Sequence, residues 1–207
     1  MKTKIIIILI CALLISCNRQ KKENVIKPIK NLIIMKKLDD IYLNKIQEIN
    51  QKNQKIQFDE NDSIVELVDN GNTYIETRRK KNHAIYNYFT YDKNNYLMIT
   101  SGTQFYTISI DISRRYNEKG QIEEEKNWEE NFPFSVYDLI TKIKTTNQLD
   151  LNSEKKDLLI NRGLDKETDS YIYLIRYNIS KYDGSYKYIK VDGATGEILS
   201  EGSDYFL

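Results

Sequence analysis

Cysteine is nearly missing from this sequence: the two present, Cys11 and Cys17, lie at the extreme N-terminus and nothing after them is a thiol. A small domain that relies on disulfides carries them through its body, so this one has to be held by its core. Histidine occurs once, at His83. A lone imidazole without thiol partners cannot assemble a zinc or copper set, and no serine or cysteine stands in a nucleophile's setting for it to activate. Neither GxGxxG nor GxxxxGK[ST] is present, so nucleotide cradling is unsupported. Charge of one sign is lacking too. Against 31 Lys and Arg stand 30 Asp and Glu, which gives no electrostatic reason to expect nucleic acid or an anionic membrane surface. The one long apolar run, Ile5 to Ile15, has eleven residues, well short of the roughly 20 that span a bilayer as a helix.

What remains is a 207-residue chain with 40% hydrophobic and 29% charged residues. That composition suits one folded domain of ordinary size or two small ones, with no requirement for a cofactor.

The N-terminus reads as an export signal. Lys2 and Lys4 precede the apolar run, which ends Leu14-Ile15-Ser16-Cys17. This ending resembles the lipobox of bacterial lipoproteins. The resemblance implies cleavage between Ser16 and Cys17 and a diacylglyceryl thioether on Cys17, with acyl chains such as palmitate. A small side chain at Ser16 suits the peptidase pocket, and a thioether survives where an ester would hydrolyse. At about 0.8 kcal/mol per buried methylene, two or three acyl chains anchor durably. The expected layout is a signal peptide over 1–16 and a polar tether over 17–30. Lipoproteins bound for the cell surface often carry an acidic cluster behind the cysteine. Here Asn18 to Asn24 are mostly basic or neutral, which implies an outer-membrane protein facing the periplasm. Loss of Lys2 and Lys4 leaves 29 basic side chains of the 31, against 30 acidic.

The mature chain reads as α+β. Met35, Leu38, Tyr42, Ile46 and Ile49 recur at helical spacing across 31–51, predicting a helix that packs on the sheet following it. Strands are expected over 63–68, 73–79, 84–91, 96–100, 106–113 and 121–127, forming an antiparallel meander that completes a unit over 31–132. Asp69-Asn70-Gly71-Asn72, Asp92-Lys93-Asn94-Asn95 and Asn117-Glu118-Lys119-Gly120 carry turn chemistry. Tyr106, Ile108, Ile110 and Ile112 alternate with polar residues, predicting one apolar strand face. "YDKNNYL" (91–97) and "YNEKGQI" (116–122) resemble the tyrosine-led hairpins of YD-repeat proteins; two imperfect copies read as two independent turns.

Pro133 marks a boundary to a smaller helix-plus-hairpin unit over 133–207. Ser135 reads as an N-cap for a helix to about Thr146 with Val136, Leu139, Ile140 and Ile143 on its apolar stripe. Residues 153–161 suggest a second short helix closed by Gly163. Strands follow at 171–180 and 186–192, with a last short one at 197–199. "YKYIKVDGATGEILSE" (186–201) resembles the closing hairpin of PepSY-type domains through Val191, Asp192, Thr195, Gly196, Glu197 and Ile198. That resemblance implies an interaction module with an envelope peptidase or other envelope protein as partner.

Chemistry is thinly signalled. Asp59, Asn61 and Ser63 imitate the start of a calcium loop, but Ile64 stands where the loop needs glycine. Glu123, Glu124 and Glu125 read as a charged strand end, and Arg78 to Lys81 is too short a basic run for a nucleic-acid footprint. The 16 tyrosines are strand formers, and Tyr171, Tyr173, Tyr177, Tyr186 and Tyr188 are candidate binding residues, since tyrosine offers rigid amphipathic contact area. The leading expectation is a non-enzymatic, membrane-anchored envelope lipoprotein that binds an envelope protein. Two alternatives stay open: an envelope hydrolase using carboxylates such as Glu123 or Asp192, and an immunity-type or structural lipoprotein.

Overall fold

The computed structural model describes Leu38, Tyr42, residues 44–46, 55–153 and 157–205. Contacts divide the chain into residues 1–32 and residues 33–207, and every described residue belongs to the second. Two antiparallel sheets dominate a mixed α and β structure. The larger sheet runs in chain order through β1 (Lys55–Glu60), β2 (Ser63–Asp69), β3 (Thr73–Lys80), β4 (Ile85–Asp92), β5 (Met98–Phe105), β6 (Ile108–Tyr116) and β7 (Ile122–Asn127). Helix α1 (Val136–Thr146) comes next. The smaller sheet follows, again in chain order, as β8 (Leu159–Asp165), β9 (Ser170–Tyr177), β10 (Ser185–Asp192) and β11 (Ile198–Tyr205). Each strand pairs with its sequence neighbour, so short turns can make the connections within each sheet.

Local chemistry explains the turns and the helix start. At the β2–β3 turn Asp69 Oδ1 accepts from Gly71 N at 3.0 Å. At the β6–β7 turn Asn117 Oδ1 accepts from both Lys119 N and Gln121 N. Ser135 caps α1 by accepting from Asp138 N at 3.2 Å, satisfying one of the helix's orphan donors. The stripe of Val136, Leu139, Ile140 and Ile143 is buried as its spacing requires.

Two apolar clusters hold the structure. In one, Leu38, Tyr42 and Ile46 pack with Val65, Leu67, Tyr74, Tyr91 and Met98 of the larger sheet. Tyr42 and residues 44–46 are helical, and the spacing of four between the buried residues puts them on one side. In the other, α1 shares a core with Phe105, Ile108 and Ile110 of the larger sheet and Ile160, Tyr173, Ile175, Ile189 and Val191 of the smaller. Burial of one such side chain stabilises by about 1.5–3 kcal/mol. Ile85, Phe89 and Tyr91 alternate on the side of β4 that these clusters use. Tyr86 and Tyr88 therefore point to the opposite face, which no described helix or strand covers.

Several expectations need correction. The smaller helix-plus-hairpin unit, expected with strands at 171–180, 186–192 and 197–199, holds a fourth strand, β8, and forms a four-stranded sheet. The expected helix over 153–161 is instead a turn at 151–153, with 154–156 outside the described residues, followed by β8. Ile160 pairs with Ile175 and Gly163 with Ile172, so a partner strand outweighs local helix propensity, and Gly163 caps nothing. The last strand extends to Tyr205 because β10 pairs along its whole length. β1 was not expected at all; only Ile56 and Phe58 give it an apolar side. Ile112 leaves the apolar face: Ile108 and Ile110 are buried but Ile112 is 38% exposed. Asp111 takes φ +55 and the pairing with β5 shifts there, so the two-residue alternation breaks. Tyr106 is a turn residue at φ +52 whose hydroxyl donates to the Leu151 and Ser153 carbonyls. Of the helix expected over 31–51, Met35 and Ile49 lie outside the described residues.

Candidate functional site

Ser16 and Cys17 lie outside the described residues. The five candidate tyrosines fall on two faces of the smaller sheet. Tyr173 and Ile175 face the core, and cross-strand pairing puts Tyr177 on that same face. Tyr173 is fully buried, with its hydroxyl donating to the Phe134 carbonyl at 2.8 Å. Burial pushes that phenol up to about 12, with nearby Glu129 adding to it. Tyr171 stacks edge-on against Phe132 at 5.5 Å. Tyr186 and Tyr188 face outward, Tyr188 opposite Arg176 and the Arg176 guanidinium 5.4 Å from the Tyr186 ring. Only this pair is presented on the sheet's open side.

The larger sheet has a matching open side. Tyr88 pairs in register with Gly102, and its ring lies so flat over that glycine that a Cβ there would sit 2.7 Å from the phenolic oxygen. A side chain at Gly102 would force the Tyr88 ring to shift, and the ring in turn covers backbone that a side chain would otherwise shield. Beside it runs a shallow groove of about 310 Å³, lined by Tyr88, Thr100, Ser113, Arg114, Arg115, Glu124, Lys126 and Trp128. Trp128 Nε1 donates to Ser113 Oγ at 2.9 Å, and Lys126 Nζ sits 3.6 Å from its ring centroid. Arg114 pairs with Glu125 at 2.8 Å, and Arg115 with Glu124. Flat aromatic area rimmed by cations is a common way to grip a protein surface. The residues come from β4, β5, β6, β7 and the segment just after β7, so no local motif could have announced the groove.

A buried polar network lies under the other face. Glu76 is 3% exposed. Its Oε2 accepts from the Tyr91 hydroxyl at 3.0 Å and its Oε1 from Arg78 at 3.2 Å. Arg78 also pairs with Glu60 at 2.6 Å and contacts the Tyr42 hydroxyl, which donates to Glu60 at 3.0 Å. Burial, reinforced by the Glu60 hydrogen bond, pushes the Tyr42 phenol up to about 12; burial beside Glu76 pushes Tyr91 up as well. Every member is bonded to another, and Tyr42 belongs to the helical segment, so the network ties that segment to β1 and β3.

The carboxylates weighed for hydrolysis are tied up separately. Glu123 is on the exposed β7, 3.6 Å from Arg115. Asp192 Oδ1 accepts from Ala194 N, Thr195 N and Thr195 Oγ1 in the β10–β11 turn, and these bonds, chiefly the one from Thr195 N, lower its carboxyl pKa. His83 is an exposed turn residue whose N–H donates to the Lys80 carbonyl. No group of three or more His, Cys, Asp or Glu side chains that could hold a metal ion occurs among the described residues. A separate cleft of about 630 Å³ lies between Asp59, Arg79, Lys81, Asp150 and Asn152. Its charges are paired, Lys81 with Asp59 and Lys144 with Asp150.

No family model, curated protein or solved structure matches the chain.

Proposed function

We propose that this chain is a bacterial envelope lipoprotein, anchored through Cys17 in the outer membrane and facing the periplasm, that acts as a non-enzymatic binding module for another envelope protein. The observation that carries the binding half is the aromatic and cationic groove on the open face of the larger sheet, with Tyr88 flat over Gly102 and Lys126 on Trp128. Helix α1 followed by four antiparallel strands, the last two joined by the Val191–Ile198 turn, supports the PepSY reading of residues 133–207 and with it a peptidase or similar envelope protein as partner. The anchor rests on the sequence alone. The finer arrangement we favour is one helix per sheet, the 31–51 segment on the larger and α1 on the smaller.

The test pairs intact-mass analysis of the membrane fraction with crosslinked capture from cells. A Cys17→Ser chain should lose the acyl mass and leave the membrane. Tyr88→Ala with Trp128→Ala should lose a captured envelope protein that the anchored parent holds. A parent chain without lipid removes the anchor from the proposal. Undiminished capture by the double variant removes the groove.

A further inference from the structure

The smaller sheet repeats part of the larger one at a displacement of one hundred residues. β4 and β5 span Ile85–Asp92 and Met98–Phe105; β10 and β11 span Ser185–Asp192 and Ile198–Tyr205. Their registers match pair for pair, from Ile85↔Phe105 and Ser185↔Tyr205 to Tyr91↔Met98 and Val191↔Ile198, and both slip at the same step. Tyr88 lies over Gly102 and Tyr188 over Gly202. In both turns an aspartate Oδ1 accepts from the second and third residues after it. Both aspartate N–H groups donate to the fifth residue on, at 2.9 and 2.8 Å, and Tyr96 and Gly196 share a left-handed φ. Each turn also accepts a backbone bond from the segment ahead of a helix, Leu38 N to Tyr96 O and Phe134 N to Gly193 O. β2 and β3 stand to the first hairpin as β8 and β9 stand to the second.

The two copies differ at their edges: β2 is covered by β1 where β8 ends its sheet, and the opposite edge differs as well. β5 is covered by β6, which sets Ile108 opposite Phe105, Ile110 opposite Thr103, Arg114 opposite Ser101 and Arg115 opposite Thr100. β11 ends its sheet, and among the described residues no strand pairs with its outer side. Gly102 and Phe105 are buried where Gly202 and Tyr205 are exposed. An uncovered edge presents a row of free N–H and C=O groups. Here it carries Glu201 and Asp204 and no basic residue. Shifted by one hundred, the pairing of β6 with β5 brings Arg114's position against Glu201 and Arg115's against Ser200. A second β11 has no basic residue to offer these acids, so charge favours a basic segment from another protein.

We propose that the outer edge of β11 is a strand-addition site, taking an extended partner segment with alternating apolar residues and a basic end in the place that β6 fills beside β5. The site is separate from the groove of the proposed function, and either can fail without the other.

The probe is a soluble peptide bearing the β6 sequence, ISIDISRRY, added to the full chain while site-resolved amide exchange is followed. Exchange at amides within 198–205 should slow on binding. A peptide N-methylated at alternate residues, which cannot form the ladder, should not protect them. Replacing either peptide arginine by glutamate should weaken binding by up to about fivefold, and Glu201→Lys in the chain should reverse that preference. Unchanged exchange across 198–205, equal protection by the N-methylated peptide, or effects confined to the larger sheet overturn the proposal. Protection of 198–205 that grows with protein concentration without peptide makes a second copy the occupant, which also overturns it.

Discussion

Arg78 is the hinge of the buried network, and its removal gives the sharpest test of how that network holds the helical segment to the sheet. In an Arg78→Ala chain Glu76 keeps only the Tyr91 hydroxyl among its described bonds, and Glu60 keeps Tyr42. Stranding one member of a buried pair costs about 3–5 kcal/mol. The Arg78 side chain is 36% exposed, so the low end, about 3 kcal/mol, applies here. For a urea m-value of about 2 kcal/mol/M, the midpoint should fall by about 1.5 M with unchanged slope. Glu76→Gln in the Arg78→Ala background removes the stranded charge while keeping an acceptor for Tyr91, and should recover about half of the loss or more. Equilibrium urea unfolding of the two single variants and the double variant closes the cycle. A loss below about 1 kcal/mol, or no recovery in the double variant, refutes the reasoning.

Alkaline pH should unfold the protein through its buried phenols. Tyr42 and Tyr173 are raised to about 12 and Tyr91 is raised too, so the native chain keeps protons that the unfolded one releases above about pH 10. Their contribution is complete below about pH 10 and disappears as pH climbs to about 12, at roughly 1.4 kcal/mol per tyrosine per pH unit. Phenolate absorbance rising together with loss of near-ultraviolet circular dichroism checks it; ionisation of all 16 tyrosines in a still folded chain would contradict it. In acid the sign reverses for Asp192, whose lowered pKa means its turn bonds are present above about pH 4 and fade below it. Asp192→Asn should therefore flatten the melting temperature between about pH 5 and 2.5. Gly196→Ala should destabilise by about 1–3 kcal/mol, since its φ is +74 and the new Cβ would meet the Phe134 ring at 2.3 Å. Leu139→Ala should cost about 3 kcal/mol in the same melts, because the side chain is fully buried between α1 and the shared core.

Much of the secondary structure was legible because its causes are local. Ser135 and the Val136, Leu139, Ile140, Ile143 spacing announce α1, and Asn117 to Gly120 announces its turn, each within one short window. The tyrosines were not legible. Tyr171 to Tyr177 alternate as perfectly as a surface stripe would, yet Tyr173 is the largest fully buried side chain. Alternation says that two faces differ and leaves open which one is covered. β8 was misread for a related reason: its residues make strand only against β9.

The sequence by itself determined the turns, helix α1 and the lack of body disulfides. Each depends on residues a few positions apart or on composition. Only the tertiary structure decided the pairing of β8, the burial of Glu76 beside Arg78, the groove under Tyr88 and Trp128, and the hundred-residue echo that leaves β11 with an open edge. Those depend on which strands meet, and strand pairing draws its energy from partners far along the chain that no local pattern names.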